Sequence, residues 1–299
     1  MGKNTQYDLR DLCEGLMLGS GSLLSGLTAN EYLLVLFDIL STINTLACSL
    51  GPLTAAVWMT RQKISKLYNQ EATTTGSELT GDTNPLSASD PAINIFNPYV
   101  PLTADREFKL LSDNLGQALI TWESSFKASD PLQNAAAQGE RGALLPLLHF
   151  ARLLLAAGPC IYTLPSLVAY TSEPRLSLPP KLPRPCAPHT IGIHFDDHAI
   201  RHSIEILEAV EAHRNASDDS KRPSEAQHRL SPMWYPLALF YGALVIWAKM
   251  EVDAERSHSK HSLLSPRRLL QNFCTELKIV GEDWECSKQM SEVVARLIT

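Results

Sequence analysis

The amino-acid sequence predicts an all-α fold: a multi-helix bundle around one central apolar helix at about residues 232–250, with long irregular insertions between the helices. Three observations predict it. The run SPMWYPLALFYGALVIWAKME, residues 231–251, carries no charge between Pro232 and Lys249, and nearly every face of a helix drawn through it is apolar. A helix that is hydrophobic all round must be surrounded by other helices or by lipid. Its apolar length is about 16 residues, short of the roughly 20 needed to cross a bilayer, which favours burial among helices of the same chain. Elsewhere, apolar residues recur at steps of three and four. Finally, alternating patterns are absent, and the turn dipeptides that join β-hairpins are missing between apolar runs.

In chain order, Leu33, Leu34, Phe37, Leu40 and Ile43 give residues 30–46 a helical stripe, with Thr28 or Asn30 as the N-cap. A second apolar run over 46–59 contains Gly51-Pro52, which breaks or kinks it. Residues 70–101 change composition to Thr, Ser, Gly, Asn, Asp and Pro. Such a stretch buries too little apolar surface to offset its ordering entropy, and reads as a long insertion. The helical period resumes over 105–126 through Phe108, Leu111, Leu115, Leu119 and Trp122, and Asp130-Pro131 ends it. Residues 142–158 form a further apolar helix expected to start near Pro146, with His149 and Arg152 its strong polar groups.

A Pro-rich connection over 172–191 follows. Asp196 or Asp197 then caps a helix through Val210, and a polar loop covers 214–231. Beyond the central helix, two closing helices are expected over 263–280 and 283–297, the second buried through Trp284, Met290, Val293, Val294 and Leu297. The whole chain, 1–299, reads as a single helical domain.

A formal charge of −6 and a pI near 5.9 argue against a nucleic-acid surface spread over the fold, because phosphate binding needs clustered Lys and Arg. Cys13, Cys48, Cys160, Cys186, Cys274 and Cys286 are scattered without a C-x-x-C pair, so neither zinc-finger spacing nor a small disulfide framework is present. A reduced intracellular setting is the expectation. The first residues, MGKNTQYDLRDLCEG, reach acidic side chains before any apolar run and do not read as a secretory signal.

The sequence assigns no catalytic, cofactor-binding or metal-binding residue. His194, His198 and His202 stand four apart, a spacing that can put imidazoles on one helix face for a metal. The Glu that follows the first His in H-E-x-x-H is missing, and His194 precedes the expected helix, so a polar face is preferred. His149, alone on an apolar helix, is expected to be a hydrogen-bonded core residue. His258 and His261 sit in a Ser-rich break. Gly19-Ser20-Gly21-Ser22 has the letters of a nucleophile elbow at the wrong spacing, and no nucleophile, base and orienting group are tied together.

The order of elements resembles a known family. LGQALITWESSF (115–126), LLPLLHFARLLL (144–155), DHAIRHSIEILEAV (197–210), MWYPLALFYGALVIWAKM (233–250) and EDWECSKQMSEVVARL (282–297) follow one another. This succession is similar to the C-terminal part of the regulatory, or middle homology, domain of fungal-specific zinc-finger and zinc-cluster transcription factors. The matching residues are Ala118, Leu119 and Trp122; Leu148, His149, Ala151 and Leu153 to Leu155; Pro236 to Leu239, Trp247 and Ala248; and Trp284 with Ala295.

The resemblance implies an all-helical nuclear regulator of transcription, acting through protein partners of the transcription machinery or a DNA-binding co-regulator and governing a metabolic or secondary-metabolite gene cluster. It covers about residues 105–299, and the chain departs from the family in lacking zinc-finger cysteines. Direct DNA contact and its metal are therefore not carried over, and no cofactor is expected. The alternative is a helical enzyme or small-molecule-binding accessory protein of a biosynthetic pathway, with His149 and the histidines near His198 as a polar wall. A membrane protein spanning through 46–59 and 233–248 is disfavoured by short apolar length and interior Pro and Gly.

Overall fold

In a computed structural model, residues 12, 15–18, 24, 27–48, 102–128, 135–172, 195–219, 231–256 and 264–298 are described. Among them there is no strand. The helices are α1 (Ala29–Cys48), α2 (Leu102–Ala128), α3 (Ala135–Ala157), α4 (Leu164–Ser172), α5 (Asp197–Asp219), α6 (Tyr235–Arg256), α7 (Leu264–Val280) and α8 (Glu285–Ile298). A 3-10 turn, Gly158–Thr163, joins α3 to α4. Gly158 takes φ +62° there, the left-handed conformation that a side chain disfavours, and Pro159 follows it. The second apolar run beyond residue 48, the insertion over 70–101 and most of the Pro-rich connection lie outside the described residues.

The expected central helix is central. α6 packs against α3, α4, α5, α7 and α8. Ala238, Leu239, Ala243, Leu244 and Val245 are wholly buried, and Ile246, Trp247 and Ala248 nearly so. Gly242 lets Phe273 of α7 approach so closely that a Cβ would lie 3.0 Å from its ring. The helix is not dry all round, since Leu237 is 42 % exposed.

Helix starts follow the capping residues. Thr28 and Glu31 form a capping box: Thr28 N–H donates to Glu31 Oε2 at 2.7 Å, and Glu31 N–H to Thr28 Oγ1 at 3.4 Å. At α5 the cap is Asp196, whose Oδ1 accepts from Ala199 N–H at 2.9 Å.

The structure corrects the expected stripes and boundaries in several places. α1 buries Tyr32, Val35, Leu36, Ile39 and Ile43, while Leu34 is 56 % and Phe37 36 % exposed. On α2, Leu115, Leu119 and Trp122 are buried as expected, but Leu111 is not. α3 begins at Ala135, so Pro146 lies inside it, not at its start. α5 runs to Asp219, through the first part of the stretch expected as a polar loop. On α8 the deepest side chains are Ser287, Ser291 and Val294, with Trp284, Met290, Val293 and Leu297 flanking them half-buried. Ser287 Oγ can be buried because it donates to Leu277 O at 2.7 Å.

α1 and α2 are joined by an aromatic cluster. Trp122 stacks on Phe126 at 4.7 Å, meets Tyr32 edge to face at 5.6 Å and donates its indole N–H to Tyr32 O at 3.0 Å. Trp122→Ala removes a fully buried side chain and this hydrogen bond together. It is expected to cost about 3–5 kcal/mol, read as a lower denaturant midpoint in equilibrium unfolding.

One ion pair joins a buried carboxylate to a partly exposed arginine. Glu276 of α7 receives Arg214 of α5 on Oε1 at 3.0 Å, while its Oε2 has no partner. Burial pushes the carboxyl above its ordinary 4.5, Glu211 adds to the rise and Arg214 opposes it. The folded state thus holds this proton more tightly than the unfolded chain does. Stability from the group is complete below pH 4.5 and is lost as pH rises through the folded value. Glu276→Gln is expected to be as stable as the parent at neutral pH, or about 1 kcal/mol more stable. Unfolding curves taken at falling pH should show the parent gaining on the variant.

Candidate functional site at the edge of α3 and α5

The most extensive helix pairing among the described residues is α3 against α5. α5 turns Ala199, Ser203, Ile206 and Val210 into the core, the three- and four-residue steps of one face. His202 and Glu205 stand three apart on the edge of that face. α3 buries Leu147, Leu148, Ala151 and Leu153, and His149 and Arg152, again three apart, lie along its edge. Packing the two buried faces together brings the two polar edges into register.

There, one carboxylate oxygen meets two imidazoles. Glu205 Oε2 lies 2.7 Å from His202 Nδ1 and 3.0 Å from His149 Nδ1, and the rings are near-parallel with centroids 6.3 Å apart. The three ligand atoms lie within 4.8 Å of one another. His202 makes a hydrogen bond to Glu205. His149 Nδ1 makes none, although it is shielded from solvent. Glu205 is at the right distance from it but outside the directions a hydrogen bond uses. A buried imidazole nitrogen left in this way costs about 1–3 kcal/mol.

The surrounding charges isolate this group. Arg152 is held by Glu123 of α2, Nη2 donating to Oε2 at 2.6 Å, and Lys127 completes the same carboxylate at 2.5 Å. Burial alone would raise the Glu123 carboxyl, but the hydrogen bonds and charges of Lys127 and Arg152 outweigh it and hold it below its ordinary 4.5. Burial also dominates at both histidines and lowers them from the ordinary 6.5. Glu205 opposes that fall, and Arg152 adds to it at both rings. At neutral pH the cluster is therefore two neutral imidazoles beside a carboxylate, a donor set suited to a metal ion or to proton transfer. Ser203, next to His202, is no nucleophile, because its buried hydroxyl donates to Ala199 O at 2.9 Å.

Of the histidines singled out in the sequence, His202 is in the cluster and His198 is exposed one turn away. His194, His258 and His261 lie outside the described residues. The expectation of a hydrogen-bonded core histidine fails at His149, whose Nδ1 lies 3.0 Å from Glu205 Oε2 but makes no hydrogen bond. Glu205 was missed. The available signals were two polar pairs at three-residue spacing on otherwise amphipathic or apolar helices, but no local rule joins 149 to 205 across the chain.

Among the described residues, two stretches, Ala29–Cys48 and Gly142–Val168, are long and apolar enough to cross a membrane by length and composition, and α6 is not one of them. Half of the second stretch is buried inside the protein, as for a core helix. No family model matches the chain, and no characterised protein or solved structure matches it either.

The charge arrangement predicts the order of histidine titration. In metal-free protein followed by NMR, both rings should titrate below 6.5. Glu205→Gln should lower both midpoints further by removing the charge that favours the imidazolium, whereas Arg152→Gln should raise them.

Proposed function

We propose that this chain is a regulatory module of transcription, similar to the fungal-specific transcription factor regulatory domain, and that it works in the nucleus through protein contacts. One observation carries the reading: most of the residues on which the resemblance rests are core residues of one continuous bundle. Ala118, Leu119 and Trp122 of α2, Leu148, Ala151 and Leu153 of α3, and Ala238, Leu239, Trp247 and Ala248 of α6 are all buried in the same cluster. Their common burial supports the resemblance at the level of an all-helical fold.

The acidic balance of the chain supports action through a DNA-binding co-regulator over direct grip on phosphate. Control of a metabolic or secondary-metabolite gene cluster is the role we assign to it. A second reading, a small-molecule-binding accessory protein, is favoured by the His149, His202 and Glu205 cluster, which provides the polar wall such a site needs.

Tethering separates the two. Fused to an unrelated DNA-binding domain, the full chain is expected to change reporter transcription several-fold, and deletion of its gene is expected to change transcripts of a co-regulated set. A silent fusion together with unchanged transcripts under all growth conditions sinks the regulatory reading.

A further inference from the structure

We propose that His149, His202 and Glu205 bind a divalent first-row transition cation of the zinc class, clamped between α3 and α5 and completed by water. The inference stands apart from the regulatory reading, because it concerns the purified chain alone.

The geometry comes first. Three atoms of metal-ligating type, His149 Nδ1, His202 Nδ1 and Glu205 Oε2, converge from two helices, with nitrogen-to-oxygen distances of 3.0 and 2.7 Å. Ligands at zinc distances of 2.0–2.2 Å in tetrahedral array stand roughly 3.3 Å apart. The two nitrogen-to-oxygen distances open by a few tenths of an ångström to reach that spacing, while the two nitrogens, within 4.8 Å of one another, adjust by side-chain rotation. His149 Nδ1 provides the second, independent observation: it is shielded from water, makes no hydrogen bond, and faces the carboxylate. A cation between them gives that nitrogen a partner and relieves its lone pair of the nearby negative charge.

The donor set selects the ion class. Two imidazoles with one carboxylate suit zinc and its neighbours, whereas magnesium and calcium take oxygen shells. Glu205 is 32 % exposed on its side chain, which leaves a path for the ion and room for water in the fourth position, and no thiol takes part.

The charged and titratable groups bearing on the two rings besides Glu205 are Arg152, Glu123 and His198. Arg152 is the unfavourable one, and its pairing with Glu123 turns its charge aside. The nearest rival arrangement is a carboxylate hydrogen-bonded to His202 alone. It accounts for His202 and leaves His149 Nδ1 without a hydrogen bond.

The test uses the full chain, dialysed against chelator, in a Cys48→Ser, Cys286→Ser background that removes the two thiols exposed among the described residues. Titration with zinc chloride is followed by calorimetry and by melting temperature, with cobalt(II) as the absorbing probe. One equivalent is expected to bind in the micromolar range and to raise the melting temperature.

Glu205→Gln, conservative and partly exposed, and His202→Ala are expected to weaken binding at least about ten-fold and to lose the cobalt signal while the helical circular dichroism persists. Arg152→Gln is expected to tighten binding, a change that a merely structural cluster has no reason to show. The proposal is overturned by a folded chain that takes up no zinc or cobalt. It is equally overturned if affinity is unchanged in Glu205→Gln and His202→Ala, or if magnesium raises the melting temperature as much as zinc.

Discussion

Everything else in this protein follows from the need to keep α6 out of water. Leu239, Leu244 and Val245 are wholly buried and Ile246 nearly so, each contributing about 1.5–3 kcal/mol of transfer free energy. One neighbour cannot cover a helix that is apolar on most of its faces, so α3, α4, α5, α7 and α8 all touch it. Small residues decide how closely they come. Ala238, Gly242 and Ala243 leave hollows along α6, and Phe273 fills one of them against Gly242. A leucine there would push α7 away and open the seam around the ring.

That constraint explains which parts of the fold were legible in the sequence. The absence of charge between Pro232 and Lys249 is a statement about every face at once, so it marks α6 without a choice of stripe. Caps were also legible, because Thr28 with Glu31 and Asp196 ahead of Ala199 are local chemistry. The buried face of α1 was not. Residues 32–37, YLLVLF, are all apolar, so Leu33-Leu34-Phe37 and Tyr32-Leu36-Ile39 fit a helix equally well, and tertiary contacts such as those of Tyr32 with Trp122 and Phe126 choose between them. Pro146 misled for a related reason. Proline favours a first turn, but the apolar surface on both sides of it and the packing on α5 carry α3 straight through. On α8, Ser287 and Ser291 lie deepest because α7 is close; hydroxyls that can donate to a backbone carbonyl survive there, and hydropathy does not see that.

The cluster at the α3 and α5 edge was legible only in halves. A lone histidine on an apolar helix and a His-x-x-Glu pair on an amphipathic one are each ordinary when taken singly. What unites them is the register of two helices packed against one another, a tertiary fact. His198 and His202 share the four-residue spacing that sequence reasoning notices, yet the partner that matters to His202 is Glu205, three residues on, together with a ring from another helix.

Hydrophobic burial has no direction, and a core rich in leucine could settle into several packings of nearly equal energy. The aromatic polar atoms break that degeneracy. Each of three indoles donates to a backbone carbonyl of a distant segment: Trp122 to Tyr32, Trp234 to Ala143 and Trp284 to Ser231, at 3.0, 3.1 and 2.8 Å. The Tyr235 hydroxyl meets His213 Nδ1 at 2.9 Å. These bonds add little net stability, since water would satisfy the same groups in the unfolded chain. Their effect lies in the alternatives they penalise. A rotation of α2 on α1, or a slip of α6 along α3, strands an indole N–H among aliphatic side chains, and the desolvation cost of that orphan rules the slipped packing out. The register they fix is the one that sets His149 opposite Glu205, so the polar cluster depends on hydrogen bonds made elsewhere in the core.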